Sequence, residues 1–352
     1  MRKFIGLTMA LALMLFCAGC GGEPSYQKYE KQYYDLFDTF TLVIGYTATE
    51  EEFDKYAKLM YDEMLRIHRL CDIYHSYEGM NNLKTVNEHA GISAVEVDPT
   101  LIDLLRLAKT AYEISHGSLN AAMGSVLRLW HEARQWSIEH PESAQVPSSE
   151  ALAAASLHTD ISHMELDEKA GTVFLPDPDM SLDLGAIAKG YAVERAIELA
   201  REAGMASGFI NAGGNVRVIG KPLDGRDAWV IGIQNPDLSE GAEALFDRLS
   251  VTDASVVTSG DYERFFVVDG VRYHHIIDPA SNFPAARCRS VTVVGGDSGV
   301  GDMLSTALFI LPDEDGRQLA ERCGVEVLWI LRDGTVRMTE GYKTISERFG
   351  KS

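Results

Sequence analysis

The order of strand patterns and helix patterns along the chain is the feature that most constrains its fold. Residues 40–46 are typical of a strand, and apolar residues at helical spacing predict helices at 50–70, 99–115 and 302–311. The two kinds of element are interspersed without a regular βαβ repeat, which favours an α+β fold. We therefore expect one continuous mixed α/β domain over residues 33–346.

Short strands separated by turn residues fill much of the remaining sequence, without internal repeats or low-complexity segments. Residues 131–149 are polar and contain Pro and Ser, so we predict a variable loop or insertion there. The predicted strands are 164–166, 172–175, 208–211, 216–220, 229–233, 254–258, 265–268, 273–277, 290–294, 325–331 and 335–338.

Size, charge and cysteine content limit the classes of function. The 352 residues are 46% hydrophobic, enough for one large core or two modest ones. The net charge of −20 argues against nucleic acid as a partner, and an anionic ligand would need local positive groups or a metal ion. Beyond the N-terminal segment, Cys71, Cys288 and Cys323 match no zinc spacing, and we expect buried free thiols.

The N-terminus has the pattern of an export signal. A basic start precedes an apolar stretch, residues 4–16, that is too short to cross a bilayer as a stable anchor. Small residues before Cys20 predict a lipoprotein signal peptide over residues 1–19, with the lipid on the Cys20 thiol and a polar tether at 20–32. The protein would then be exported and lipid-anchored to the extracytoplasmic face of the cell membrane. Plain secretion with a free Cys20 is the alternative.

Residues 183–190 place an acid and a lysine around small residues where a loop turns into a predicted helix. The free N–H groups and partial positive charge of a helix start can bind phosphate, and small residues let it approach the backbone. Lys189 can add a full charge, and Gly204 marks the helix end. An ordinary surface helix with Asp183 as a capping acid is the alternative.

Two glycine-containing segments could contact an anion or a flat ring. Residues 211–215 place Gly213 and Gly214 between two strands, where backbone N–H groups can face an anion or simply form a hairpin turn. Residues 258–264 combine two hydroxyls, a glycine, an aromatic residue and an arginine. They could hold phosphate or ribose oxygens, or form a structural turn.

Two histidines and an aspartate precede Pro279. Strand alternation would place His275 and Ile277 on one face and His274 and Asp278 on the other. One histidine could act in proton transfer or polar recognition, and solvent-facing histidines are the alternative. No third nitrogen or sulfur ligand lies at a usual spacing, which argues against a histidine-based metal site.

Asp302, Ser305 and Thr306 lie at i, i+3 and i+4 of a predicted helix and therefore share one face. Three oxygen-bearing side chains on one face suit a hard cation such as Mg²⁺, which shares its other positions with water and substrate phosphates. The alternative is that Asp302 only N-caps the helix, with Ser305 in its first turn.

Together and in this order, these strings resemble the ApbE family, the Mg²⁺-dependent FAD:protein FMN transferases, many of which are exported lipoproteins. The similarity extends over nearly the whole mature chain, and the joint order is more specific than any single pattern. The matches are D-x-G-x-x-x-K-G at Asp183, Gly185, Lys189 and Gly190, N-x-G-G at Asn211, Gly213 and Gly214, T-S-G-x-Y at 258–262, H-x-I-D-P at 275–279, and D-x-x-S-T at Asp302, Ser305 and Thr306.

The resemblance implies a set of site residues. Mg²⁺ would bind the backbone carbonyl of Ala186 and the side chains of Asp302 and Thr306, with Ser305 close by, and His275 or Asp302 would assist catalysis. The residues implied to contact FAD are Phe37, Tyr74, Ser118, Leu119, Asn120, Asp183, Lys189, Asn211, Gly213, Gly214, Ser259, Gly260, His275 and Ile277.

Three segments depart from the family pattern. Residues 37–39 replace the usual Met-Gly-Thr, Asn120 replaces an acid that contacts the flavin, and Ser281 and Asn282 replace a Thr-Gly pair. We expect these changes to affect flavin recognition more than metal chemistry.

The resemblance implies transfer of FMN from FAD to a threonine hydroxyl of an exported or membrane acceptor flavoprotein, with release of AMP. FAD would be the substrate and Mg²⁺ the metal cofactor. The alternatives are an FAD pyrophosphatase that releases FMN and AMP, and a flavin-binding lipoprotein without catalytic activity. An oxidoreductase is disfavoured, because nothing marks a second substrate or a nicotinamide site.

Overall fold

The computed structural model describes residues 25–350. Its helices are α1 (Glu50–Cys71), α2 (Leu83–Glu88), α3 (Pro99–Ile114), α4 (Gly124–Glu139), α5 (Ser149–Ala155), α6 (Ala188–Glu202), α7 (Ser298–Ile310), α8 (Asp313–Cys323) and α9 (Glu340–Ile345). Its strands are β1 (Gln27–Leu36), β2 (Thr39–Thr47), β3 (Val95–Glu96), β4 (Glu165–Asp167), β5 (Thr172–Phe174), β6 (Gly208–Ala212), β7 (Asn215–Ile219), β8 (Trp229–Gln234), β9 (Leu245–Val251), β10 (Ser255–Gly260), β11 (Phe266–Val268), β12 (Val271–Tyr273), β13 (Ile277–Asp278), β14 (Phe283–Pro284), β15 (Cys288–Gly295), β16 (Glu326–Leu331) and β17 (Val336–Met338).

An eight-stranded sheet forms the centre of the domain, in the order β1-β2-β6-β7-β10-β15-β16-β17. Neighbouring strands in this sheet are antiparallel throughout. Helices packed on an antiparallel sheet confirm the predicted α+β class. The strands at the middle of the sheet, β7 and β10, adjoin residues 211–215 and 258–264, which the sequence singled out.

Side chains alternate between the two faces of this sheet, so its strands contribute to two separate cores. On one face, Val43 and Val291 belong to a core shared with α1, α6 and α7. On the other face, Ile44 and Leu328 pack with the β8–β9 ribbon and α9. A third, smaller core around Trp130 joins α4 to the β11–β12 hairpin.

Local signals set the ends of the helices that surround the centre of the domain. The side chain of Thr49 caps α1 by accepting from the N–H of Glu52, and Asp297 caps α7 by accepting from the N–H of Val300. Helix α6 has no side-chain cap at its start, and Gly204 follows its end with a φ of +109°, as expected for a glycine stop.

The ordered domain is longer at both ends than the predicted 33–346. Strand β1 begins at Gln27, inside the segment predicted as a polar tether, so that prediction is wrong from Gln27 onward. Tyr29 and Tyr33 of this strand pack against α1, and β1 pairs with β2. Near the C-terminus, the N–H of Glu347 donates to the carbonyl of Arg248 on β9.

Two further element predictions are wrong. The loop predicted at 131–149 is confined to residues 140–148, because α4 continues to Glu139 and α5 begins at Ser149. The strand predicted at 273–277 is interrupted, since β12 ends at Tyr273 and β13 begins only at Ile277. The predicted alternation of the two histidines therefore does not apply.

The predicted signal peptide and Cys20 lie outside the described residues. Within residues 25–350, no helix combines the length and apolar character needed to cross a bilayer. Cys71, Cys288 and Cys323 are free thiols, as predicted, although only Cys288 is fully buried. Burial raises the pKa of Cys288 to about 11, so this thiol stays protonated at neutral pH.

Candidate active site

A cavity of about 560 Å³ lies where the start of α6, the middle of α7, the β6–β7 turn and the end of β10 meet. Helix α4 and the β11–β12 hairpin close it on another side. This volume is within the range of small-molecule sites. The predicted residues that line it are Tyr74, Ser118, Leu119, Asn120, Asp183, Ala186, Lys189, Gly213, Ser259, Gly260, His275, Ile277, Asp302 and Thr306.

Four predicted residues lie behind the cavity wall, namely Phe37, Asn211, Gly214 and Ser305. The Asn211 Oδ1 atom accepts from the N–H of Gly214 over 3.2 Å and so closes the β6–β7 turn. The Ser305 Oγ atom lies 2.8 Å from the Oγ of Ser259, which does line the cavity. The carbonyl of Phe37 accepts from Arg264, another lining residue, over 2.9 Å. These four residues support the wall from behind.

The loop before α6 is shaped by the Asp183 carboxylate. Its Oδ1 accepts from the N–H of Gly185 over 2.7 Å, and the N–H of Asp183 donates to the carbonyl of Ala121. Asp183 does not cap α6, which begins at Ala188 without a side-chain cap, so the alternative of a capping acid is wrong. Burial raises the pKa of Asp183, and the bond from Gly185 opposes this effect.

Asp302 lies in the second turn of α7, and Asp297 occupies the cap position. The alternative that Asp302 only caps the helix is therefore wrong. The residue is 5% exposed, and its two carboxylate oxygens accept from the backbone N–H of Gly190 (2.8 Å) and from Asn215 Nδ2 (3.2 Å). The carboxylate is thus held between α6 and β7 at the cavity wall.

Lys189 faces the same carboxylate, with its Nζ 3.7 Å from Asp302 Oδ1. Burial lowers the pKa of Lys189 and raises that of Asp302, and the attraction between the two opposes both shifts. Gly190 is required for this close packing, because a Cβ there would overlap the Ser298 carbonyl and the Asp302 side chain.

The two adjacent histidines have different surroundings. The Nε2 of His274 lies 2.9 Å from the carbonyl of Ala285, and its Nδ1 accepts from the N–H of Ile276. The Nδ1 of His275 lies 3.2 Å from the carbonyl of Glu263. Because a carbonyl only accepts, the nitrogen facing it carries the proton in each ring. His275 therefore keeps an unprotonated Nε2, whereas both nitrogens of His274 are occupied.

Burial is the main reason that both histidines stay neutral. It lowers the pKa of His274 to about 4 and that of His275 to about 3, and nearby Arg264 adds to the effect at His275. His274 is 2% exposed, whereas the His275 ring is open to the cavity although protein surrounds it. His275 is thus the histidine with a ring nitrogen available to a ligand in the cavity.

Helix α4 brings to the cavity two residues that the sequence interpretation missed, His131 and Arg134. The His131 ring lies over Tyr74 with centroids 5.0 Å apart, and its Nδ1 is 3.3 Å from the Tyr74 hydroxyl. Burial lowers the pKa of Arg134, and the charge of Arg264, which also lines the cavity, lowers it further. The helical repeat of Val126 and Trp130 was the signal that could have revealed this helix.

Asn120, which departs from the family pattern, is engaged with the backbone at both ends of its amide. Its Nδ2 donates to the carbonyl of Thr159 over 2.8 Å, and its Oδ1 accepts from the N–H of Ala122 over 2.9 Å. A carboxylate could not make the first of these bonds. The Asn120 amide therefore helps to fix the cavity wall beside Leu119.

Comparison with known proteins agrees with this geometry. The model of the ApbE family matches residues 39–329. A Treponema pallidum protein named FAD:protein FMN transferase is 38% identical over 74% of this chain and 73% of its own length. A Klebsiella pneumoniae protein of the same name is 35% identical over 78% of this chain and 84% of its own.

Solved structures give the same result for the fold. The ApbE protein from Thermotoga maritima superposes with a TM-score of 0.79 at 32% identity, covering 91% of this chain and 99% of that one. The flavin transferase ApbE from Vibrio cholerae superposes with a TM-score of 0.76 at 24% identity, covering 91% of this chain and all of its own. The family match covers most of the chain, and the cavity brings the family's patterns together. The chain belongs to the ApbE family.

Proposed function

We propose that this protein is an FAD:protein FMN transferase, which moves the FMN part of FAD onto an acceptor protein and releases AMP. Relatives of that name are 35% and 38% identical to it. The observation that carries the proposal is the convergence of the five sequence patterns on one cavity of about 560 Å³.

The cavity supplies the positive charge that a pyrophosphate needs in a chain of net charge −20. Lys189, Arg134 and Arg264 all line it. The two arginines lie close enough for Arg264 to lower the pKa of Arg134, and an anion between them would relieve that repulsion. These three residues would bind and orient the pyrophosphate of FAD.

The donor set beside Lys189 fits Mg²⁺. Asp302 and Thr306 lie one turn apart on α7, and Ala186 lies on the same cavity wall. One buried carboxylate with neutral oxygens is typical of a Mg²⁺ site that shares its remaining positions with substrate phosphates. When bound there, the ion would neutralise charge on the pyrophosphate and make AMP a better leaving group.

His275 is the better of the two proposed bases. Asp302 already accepts from Gly190 and Asn215 and would be a metal ligand, whereas His275 Nε2 is free. A threonine hydroxyl oxygen of the acceptor would bond to the phosphorus of the FMN moiety as the bond to the AMP oxygen breaks. The hydroxyl proton would pass to His275 Nε2, and the electron pair of the broken bond would leave with AMP.

The acceptor would be an exported or membrane flavoprotein, because the N-terminal pattern predicts export and a lipid on Cys20. The anchor would hold the enzyme at the membrane face where such acceptors lie.

The test is the intact mass of an acceptor domain after incubation with FAD, Mg²⁺ and the protein. Gain of one FMN on a threonine, abolished by EDTA, is the expected result. Release of AMP and FMN with an unchanged acceptor would support an FAD pyrophosphatase instead. Uptake of FAD without any AMP would contradict both and support a flavin-binding lipoprotein.

A further inference from the structure

Two polar side chains on the central strand β7 face the buried region between the sheet and helices α6 and α7. Val216 and Val218 lie on the face covered by the β8–β9 ribbon, so Asn215 and Arg217 lie on the opposite face, towards α6 and α7. Asn215 is 0% exposed and Arg217 is 4% exposed. Burying polar groups is costly unless they have partners, so their partners indicate their role.

Asn215 contacts the Asp302 carboxylate. Its Nδ2 donates to Asp302 Oδ1, while the backbone N–H of Gly190 donates to Oδ2. Among the described residues, Asn215 Oδ1 has no hydrogen-bond partner although it is buried. A flipped amide would place that oxygen against the carboxylate, so the observed orientation is the favourable one. The amide holds Asp302 at the cost of leaving its own oxygen unpaired.

Arg217 belongs to a buried ion pair that joins the elements around Asp302. Its Nε lies 3.0 and 2.9 Å from the two carboxylate oxygens of Glu194 on α6. Glu194 also accepts, over 2.6 Å, from the N–H of Ser298, the first residue of α7. One carboxylate therefore connects α6, β7 and the start of α7. These three elements carry, in the same order, Lys189, Asn215 and Asp302.

We propose that Asn215 is a positioning residue that orients the Asp302 carboxylate for a divalent cation, and that the Glu194–Arg217 ion pair keeps Asn215 in place. The inference rests on the proposed function, because that function supplies the cation. With one donor on each oxygen, the carboxylate has a fixed plane before the cation arrives. Partners that orient a metal ligand in this way typically change metal affinity when they are removed.

Asn215→Leu tests the first part, because leucine has a similar size and no donor. Binding of Mg²⁺ to the full-length protein with FAD present is measured by calorimetry, and binding of Mn²⁺ by electron paramagnetic resonance. We expect the half-saturating Mg²⁺ concentration to rise about tenfold. FAD affinity without added cation stays unchanged, and turnover recovers at high Mg²⁺. Unchanged cation affinity in the variant would overturn the proposal.

The ion pair is tested by comparing Arg217→Lys with Arg217→Met. Lysine keeps the charge opposite Glu194 but loses the planar fork, so we expect it to restore part of the cation affinity that methionine removes. Equal affinity in the two variants and the wild type would exclude the role of the pair. Because either variant could lose stability, thermal unfolding is measured alongside cation binding.

Tyr342→Phe is the matched control for a general loss of stability. Tyr342 is fully buried, and its hydroxyl donates to Asp247 Oδ2 over 3.1 Å on the other face of the sheet. The Tyr342→Phe variant should have a lower melting temperature and an unchanged Mg²⁺ affinity. An equal loss of affinity in this control would overturn the proposal. If the wild type binds no Mg²⁺ with FAD present, the metal assignment and this inference both fail, whereas unchanged affinity in Asn215→Leu removes the inference alone.

Discussion

At the scale of single residues, His274 and His275 show what the sequence could and could not provide. The motif predicted that one of the two histidines takes part in chemistry. It could not indicate which nitrogen each ring uses, because their partners are carbonyls of Ala285 and Glu263 that only the folded chain brings near. The five patterns thus predicted which residues meet, whereas the contacts of each atom depend on packing.

Stability should fall in mild acid, and His274 should account for part of the fall. Its pKa is about 4 when folded and about 6.5 when unfolded, so between these values the unfolded state binds more protons. Stability is therefore lost as pH decreases through this window, by at most about 3 kcal/mol for this group. Below about pH 4 both states are protonated and no further loss arises from His274.

The measurement is the melting temperature of the wild type and of His274→Gln between pH 7 and pH 4. The variant should show the shallower decline. Asp183 and Asp302 have raised pKa values, so their protonation favours the folded state of both proteins as the pH falls. Only the difference between the two curves therefore reports on His274. Parallel curves would show that His274 is not the group responsible.

Asp302→Ala should abolish Mg²⁺-dependent transfer while the protein still folds. The change removes the carboxylate that would bind the cation, and we expect a loss of more than about 100-fold in transfer rate. The variant should lose some stability, because Gly190, Asn215 and Lys189 lose their shared carboxylate partner. The transfer rate is measured at limiting Mg²⁺, with circular dichroism as the folding control. Normal turnover under that condition would exclude Asp302 as a metal ligand.

At the scale of elements, the two largest errors have physical reasons. The second half of α4 was predicted as a loop because the side that faces the cavity carries His131 and Arg134, which obscure the apolar repeat. The first part of β1, residues 27–32, was predicted as a tether because it belongs to an edge strand with mostly exposed side chains. The only apolar side chain in this part that packs against the core is Tyr29. Elements with a conventional buried face, such as α1 and β15, were predicted close to their observed bounds.

Helix α4 should contribute to FAD affinity through Arg134. Replacing it by methionine keeps most of the side-chain volume and removes the charge that faces Arg264, so we expect FAD binding to weaken about tenfold. Flavin fluorescence titration measures the affinity. Arg317→Met on α8, where the arginine is 67% exposed on its side chain, is the control and should bind FAD as the wild type does. Unchanged affinity in Arg134→Met would place the pyrophosphate elsewhere in the cavity.

At the scale of the whole molecule, the antiparallel sheet explains how distant segments form one site. The β6–β7 turn and the end of β10 lie side by side because β7 pairs with β10, and α6 and α7 cover the same face of these strands. The order of the patterns predicted that these segments belong together. The β8–β9 ribbon covers the opposite face of the sheet. Its position there could not be predicted, because strand patterns alone do not specify which elements pack together.

A lipid anchor on Cys20 would determine which acceptors the enzyme can reach. If Cys20 carries the lipid, the seven residues to the start of β1 at Gln27 span at most about 25 Å, which keeps the domain close to the bilayer. Cys20→Ser should therefore release the protein into the soluble extracytoplasmic fraction. Flavinylation of a membrane-bound acceptor in cells should fall, while transfer to a soluble acceptor domain in vitro should be unchanged, because the cavity is intact. Fractionation with incorporation of labelled palmitate measures anchoring, and retention of the Cys20→Ser protein in the membrane would show that another feature holds it there.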